Sequence, residues 1–216
     1  MRPPFSAALC AAMLAVTVAA ALPRVAHAQS NEPPPPLPAE YSEASRKAYA
    51  ATMKEARDLM TQKRYEDAII KLDALTRDRP REPQARFLKG VALTDLGLDD
   101  PAVAQFQALT SDFPELPEPH NNLAALYARK GQYELARREL ELAIAADPDY
   151  GIANENLGDV YVQLAAAQYQ RAATLQKNNK TVPLKLKLVR DVLAVRPDSP
   201  PPATTGAVPD IKEKSK

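Results

Sequence analysis

A period of 34 residues runs through the middle of this chain and constrains the fold more than any other feature of the sequence. Six sets of positions recur at this spacing, and within each set the residues agree in size and polarity. The sets are Ala56, Gly90, Ala124 and Gly158; Leu59, Leu93, Tyr127 and Tyr161; Ala68, Ala102 and Ala136; Leu72, Phe106 and Leu140; Leu75, Leu109 and Ala143; and Pro80, Pro114 and Pro148. Such a period predicts a solenoid, in which each unit buries its apolar face only against its neighbours.

Each repeat has the pattern of two helices joined by a short turn. In the third repeat an apolar stripe at helical spacing precedes Gly131, and a second stripe follows it. Pro148 ends the second helix, because proline lacks a backbone N–H and restricts the residue before it. The small residues Ala124 and Ala136 are predicted to lie where the two helices cross, since close approach of helix axes needs small side chains.

At these positions the sequence resembles the tetratricopeptide repeat (TPR) family. The matching residues of the third repeat, 117–150, are Leu123, Ala124, Tyr127, Gly131, Tyr133, Ala136, Ala143 and Pro148. Repeats 49–82 and 83–116 keep most of the pattern, although Asp99 stands where the second repeat should have an aromatic residue. The resemblance covers about 130 of the 216 residues. It implies an all-α, right-handed solenoid of about 3.5 helix hairpins, but it specifies function only weakly.

The fourth repeat, 151–179, departs from the pattern. Its second-helix signature, Gln170-Arg171-Ala172-Ala173, comes five residues early and has no turn before it. We therefore expect one fused helix of roughly 25–28 residues, starting near Ile152.

A last helix is predicted over 181–196, with Thr181 as its N-cap and Pro183 in its first turn. We expect this helix to cap the solenoid and to cover Leu157 and Tyr161. The alternative is a strand, because leucine and lysine alternate between Leu184 and Leu188.

The two ends of the chain differ from the repeats. Arg2, the apolar stretch 5–22 and the small residues Ala26 and Ala28 have the order of a secretory signal peptide over 1–28, whose cleavage would leave Gln29 first. An uncleaved membrane anchor is the alternative. A proline-rich linker follows over 29–40, the solenoid spans 41–196, and a disordered tail is expected over 197–216. We expect a periplasmic or secreted protein of a Gram-negative bacterium, with no integral membrane span after cleavage.

Composition argues against several functions. The net charge of +1 offers no field for nucleic acid or anionic membranes. One cysteine and two histidines disfavour a metal site, and no motif for a cofactor or for nucleophilic catalysis occurs. His120 has no sequence neighbour that would make it a base, so we interpret it as structural or solvated. The protein is therefore not predicted to be an enzyme, and neither a metal nor a cofactor is expected.

With catalysis disfavoured, binding of another protein is the function that we predict. The resemblance implies that such binding uses a concave groove lined by the first helix of each repeat. Asn122 and Asn156 occupy equivalent positions there, and amides can both donate to and accept from a peptide main chain. Family members that bind extended peptides use asparagines in this column; the alternative is that asparagine is simply frequent there. We also predict Arg129 and Arg57 as charged contacts, and Phe87 and Met53 as apolar anchors. The remaining members of this predicted apolar groove are Leu88, Val91 and Met60.

The clamp of Lys, Asn and Arg that holds peptide carboxylates in chaperone-binding relatives is not kept, since Met53, Leu88 and Glu118 occupy three of its columns. The predicted function is a periplasmic scaffold that binds a peptide or helix of an envelope protein. A holdase-like chaperone and an accessory subunit of an envelope enzyme complex are the alternatives.

Overall fold

The computed structural model describes residues 42–195, and this part of the chain forms eight α-helices and no strand. The predicted signal peptide, linker and tail lie outside the described residues. The helices are α1 (Glu43–Thr61), α2 (Tyr65–Asp78), α3 (Pro83–Asp95), α4 (Asp99–Asp112), α5 (Pro117–Arg129), α6 (Tyr133–Ala146), α7 (Gly151–Leu175) and α8 (Thr181–Ala194). Each helix packs against the next one along the chain, so the predicted all-α solenoid of helix hairpins is confirmed.

Proline and glycine set the helix boundaries. α3 and α5 begin at Pro83 and Pro117, where the missing N–H costs no helical hydrogen bond. Lys63, Gly97 and Gly131 join the first and second helices of repeats one to three, with φ values of 58°, 74° and 71°. Glycine adopts this left-handed conformation without a steric penalty, which explains two of the three turns.

The core lies between the two helices of each hairpin and between neighbouring hairpins. Ala68, Ala102 and Ala136 are fully buried, as are the large residues of the next repeating set, Leu72, Phe106 and Leu140. A Cβ built on Gly90 would lie only 2.6 Å from the Phe106 ring, so this crossing has no room for a larger residue. The small and large columns of the sequence therefore correspond to the hairpin contacts.

The fourth repeat is one helix of 25 residues, α7, as predicted. The segment after α7 forms a helix, α8, and not a strand. Two details of the predicted capping helix are nevertheless wrong. Thr181 lies inside α8, and the Asn179 side chain accepts its backbone N–H at 2.9 Å. Tyr161 remains 49 % exposed, so α8 does not cover it.

The lengths of the helices explain the second error. Arg190 donates to Gln170 at 2.8 Å, and the Lys185 ammonium lies 5.8 Å from the Tyr169 ring. These contacts place α8 against the C-terminal half of α7. A helix of 14 residues is about 21 Å long, too short to return along the roughly 38 Å of α7 to Leu157.

No helix within residues 42–195 is long and apolar enough to span a bilayer.

Candidate functional site

The first helices of successive repeats lie side by side, since α3 contacts α5 and α5 contacts α7. We call the surface formed by α1, α3, α5 and α7 the first-helix face. In solenoids of stacked helix pairs, an extended surface of this kind is the usual binding surface. The predicted site residues all lie on these four helices.

The two predicted asparagines are buried and make hydrogen bonds within the protein. Asn122 is 2 % exposed, and its amide nitrogen donates to the Glu118 carbonyl oxygen at 2.8 Å, one turn earlier in α5. Asn156 is 7 % exposed, and its amide nitrogen donates to the Asn121 side-chain oxygen at 2.8 Å. This second bond crosses from α7 to α5, so the Asn156 amide nitrogen joins two repeats, although the residue still contributes to the edge of a cleft.

The predicted apolar anchors belong to the core. Phe87 and Met53 are buried, and the Phe87 ring centroid lies 5.9 Å from that of Phe106 at an interplanar angle of 58°. Leu88 and Val91, which were expected to continue an apolar groove, are buried as well. The prediction that these four residues line an apolar groove is therefore wrong, because the neighbouring helices approach closely enough to cover them.

The two predicted arginines are the exposed members of the set. Arg57 is exposed on α1, and Arg129 ends α5 and donates to the Asp99 carboxylate at 2.5 Å. Partial burial raises the pKa of the nearby Asp95 carboxyl, and the Arg129 charge opposes that increase. Arg129 is therefore held by an ion pair between α5 and α4, and Arg57 is the predicted cation that faces solvent most openly.

A cleft lies between α5 and α7, and α6 contributes Tyr133 and Leu140 to its lining. It is shallow: the space inside it that can hold the centre of a water molecule is about 10 Å³, and the 280 Å³ of empty space around its lining includes open solvent. Its lining combines alanines with polar and larger side chains: Ala124, Ala125, Ala128, Tyr133, Leu140, Asn156, Asp159, Val160 and Gln163. Ala125 and Ala128 leave room for a main chain to approach, whereas Asp159 and Gln163 supply polar groups. Of the predicted site residues, only Asn156 contributes to this cleft.

Asp159 and Gln163 were missed as site residues, although the repeat spacing already assigned them to groove columns. Asp159 shares its column with Arg57, and Gln163 shares its column with Arg129. The repeat spacing therefore already indicates that Asp159 and Gln163 lie in groove columns. The hydrogen-bonding capacity of the asparagines favours them as ligand contacts, but the columns do not indicate which of their members are buried.

The described residues show no arrangement suited to metal binding. Within 42–195 no group of three or more metal-ligating side chains comes together. His120 is buried, and its Nδ1 lies 2.8 Å from the Glu139 carboxylate, a contact that links α5 to α6. This position inside a hairpin agrees with a structural role for the histidine.

Family models identify the repeats. One tetratricopeptide repeat model matches residues 53–117, and a second matches residues 117–150. This chain is a tetratricopeptide repeat protein. The matches end at the point where the fused helix α7 begins, since the fourth repeat has lost its turn. A comparison with curated protein sequences finds no match.

Solved structures with the same fold include several bacterial proteins. The Yersinia enterocolitica type III secretion chaperone SycD, in complex with a peptide of the translocator YopD, is 19 % identical with a TM-score of 0.51, over 60 % of the TPR chain and 98 % of its own. PilF of Pseudomonas aeruginosa is 18 % identical with a TM-score of 0.51, over 69 % and 71 %. MamA from Desulfovibrio magneticus RS-1 is 21 % identical with a TM-score of 0.50, over 70 % and 97 %. At these identities the likeness shows the fold alone.

Proposed function

We propose that this TPR protein is a non-catalytic scaffold that binds a peptide or helix of a partner protein on its first-helix face. We further propose that it works in the periplasm of a Gram-negative bacterium. The N-terminal sequence pattern supports the location, and the repeat fold supports the binding role. The SycD structure, which holds a peptide of its translocator, is a precedent for peptide binding by this fold.

The α5–α7 cleft is the observation that carries this proposal. Its alanine side, Ala125 and Ala128, allows an extended main chain or a helix to come close to α5. Gln163 both donates and accepts hydrogen bonds, so the α7 side can pair with main-chain groups without reading sequence. A surface of this kind suits a segment recognised by shape and by main-chain contacts.

A substitution that fills the cleft tests the proposal. The partner is first recovered from an envelope extract and identified, and its affinity for each variant is then measured by titration. Ala128→Arg should weaken binding at least tenfold, which corresponds to about 1.4 kcal/mol, because the long side chain occupies the space that the ligand needs. Gln163→Ala should weaken binding by a smaller amount through the loss of a hydrogen bond.

The matched control is Ala145→Arg, the same change on the exposed surface of the second helix α6. It should leave affinity unchanged. Because Ala128 is half-buried and packs against the core, circular dichroism and the melting temperature are measured for all three variants, and Gln163→Ala decides the matter where Ala128→Arg is destabilised. Equal affinities for Ala128→Arg, Gln163→Ala and Ala145→Arg would contradict the assignment of the cleft. Weak, unselective binding of many unfolded clients would instead favour the holdase alternative, and stable recovery with an envelope enzyme would favour the accessory subunit.

A further inference from the structure

The last helix, α8, has two apolar faces. One face packs on α7: Val182 and Leu186 are buried there, and Val189 and Leu193 are half-buried. The second face consists of Leu184, Leu188, Val192 and Val195, which are 63 %, 65 %, 56 % and 83 % exposed. At about 100° per residue, the second set lies well over 90° around the helix from the first. We call this second set the outer α8 stripe.

A terminal helix of a solenoid normally turns a polar face to water, because no further repeat follows it. The outer α8 stripe differs from this arrangement, with three large apolar side chains on one helix of 14 residues and a fourth, Val195, at its C-cap. Contiguous exposed apolar surface of this kind marks an interaction site more often than a lone exposed leucine does. The stripe projects from a helix surface and does not line a groove. Whatever binds it must therefore fit against a convex surface.

Charge is divided unevenly along the described residues. From 160 to 195 there are six lysines and arginines and one acidic residue, Asp191, a net charge of +5. From 42 to 159 there are 16 lysines and arginines and 21 acidic residues, a net charge of −5. The C-terminal end of the described solenoid is therefore strongly basic, although the whole chain is close to neutral.

Lysines border the outer α8 stripe on both sides. The helical angle puts Lys185 beside one edge and Lys187 beside the other. The Lys185 ammonium also lies 5.8 Å from the Tyr169 ring of α7, and the Lys187 side chain is 72 % exposed while it pairs with Asp191 at 2.7 Å. Lysine side chains at the edge of an apolar strip can extend so that the ammonium groups reach charged headgroups while the stems stay in apolar surroundings. An exposed apolar strip with basic borders is the arrangement of helices that lie in the surface of an anionic bilayer.

We propose that α8 docks this protein on the surface of an anionic lipid bilayer, with the outer α8 stripe inserted among the acyl chains and the bordering lysines at the headgroups. Charge complementarity favours this occupant over a second copy of the chain, because pairing two α8 helices would bring together two regions of net charge +5. The proposal does not depend on the function of the α5–α7 cleft, which lies on other helix surfaces.

Vesicle binding by the full chain tests the proposal. Binding is measured by co-sedimentation with vesicles of phosphatidylglycerol and phosphatidylcholine in equal parts, and with phosphatidylcholine vesicles alone. We expect at least tenfold tighter binding to the anionic vesicles, weakened by salt at about 0.5 M, since exposed charges are screened within a few ångströms there. Residues 1–28, where they are retained, carry Arg2 and Arg24 beside the apolar stretch 5–22 and can themselves bind anionic lipid, but they are common to all variants, so the differences between variants report on α8.

Two variants probe the two components of the surface. Leu184→Gln with Leu188→Gln should reduce anionic-vesicle binding at least tenfold, and Lys185→Gln with Lys187→Gln should reduce it by about fivefold per lysine. The matched control is Ile70→Gln with Leu142→Gln, which changes equally exposed apolar residues on α2 and α6 and should leave binding unchanged. Because every substituted side chain is exposed, each variant should fold normally, as checked by circular dichroism.

A tryptophan probe adds a second readout, since the chain contains no tryptophan. Leu188→Trp should show a blue-shifted emission with anionic vesicles and none with neutral ones. Equal binding to the two vesicle types, or unchanged binding by the Leu184→Gln, Leu188→Gln variant, would overturn the proposal. So would a dimer in sedimentation equilibrium that this variant dissociates in the absence of vesicle binding, because a second copy would then be the occupant.

Discussion

Gly90 and Gly158 occupy the same position of their repeats but have opposite surroundings, so the same substitution should have opposite effects. A Cβ on Gly90 would meet the buried Phe106 ring at 2.6 Å, whereas a Cβ on Gly158 would have no neighbour within 4 Å. Gly158→Ala should raise the free energy of unfolding by about 0.5–1 kcal/mol through helix propensity. Gly90→Ala should lower the free energy of unfolding by about 1–2 kcal/mol, because the cost of overpacking against Phe106 exceeds the gain from helix propensity. Urea denaturation of both variants measures the change in the free energy of unfolding. A stabilised Gly90→Ala variant would show that the Phe106 ring can move to make room for the added Cβ.

At the scale of single elements, α1 extends beyond its repeat and is held by a buried arginine. Arg79 lies 4.3 Å from the Tyr49 ring centroid and donates to the Ser45 carbonyl oxygen at 2.9 Å. The Tyr49 hydroxyl is buried and finds no hydrogen-bond partner among residues 42–195. Burial is the main reason that the pKa of Tyr49 is raised from 10.0 to about 12, and the Glu82 charge contributes further. The N-terminal part of α1 is therefore attached to the end of α2 through a group that strongly prefers its neutral form.

The packing of α1 on the end of α2 around Tyr49 should weaken at alkaline pH. The folded-state pKa of Tyr49 lies above the unfolded-state value, so its contribution to stability is complete below about pH 10 and is lost as the pH rises toward about 12. Tyr49→Phe should therefore reduce the decline of the free energy of unfolding across that interval, and it should cost little at neutral pH because the hydroxyl makes no bond in the described structure. Tyr161→Phe, at a half-exposed tyrosine, is the control and should leave the decline unchanged. Parallel pH profiles for the two variants would contradict the assignment to Tyr49.

At the scale of the whole molecule, the C-terminal end of the solenoid depends on α8. Ending the chain before Thr181 removes the buried Val182 and Leu186 and uncovers the α7 surface on which they pack. We expect a loss of about 2–4 kcal/mol in the free energy of unfolding, the scale of one or two large buried side chains. Hydrogen exchange should show the loss concentrated in the C-terminal half of α7, where Gln170 and Tyr169 contact α8. Unchanged exchange in that half, with an unchanged melting temperature, would show that α8 contributes no packing.

Local sequence patterns account for the helices and turns of the described residues. The 34-residue period predicted the hairpins, the glycines at 97 and 131 predicted turns, and the missing turn of the fourth repeat predicted the fused helix α7. These features are local, since they depend on side-chain rotation about one helix axis and on backbone conformations that only a few residues favour. Local regularity was therefore sufficient for the fold.

Only the tertiary structure decided which members of each column are exposed. Asn122 and Phe87 have the spacing of groove residues, but the neighbouring helices stand close enough to bury them. Leu184 and Leu188 have the spacing of a core stripe, but among the described residues α8 packs chiefly on α7, so the second of its two apolar faces is exposed there. Periodicity fixes the direction of a side chain relative to its own helix, whereas burial depends on the distance, the length and the presence of the neighbouring helix. These quantities are properties of the assembled solenoid, which is why the cleft and the outer α8 stripe became visible only there.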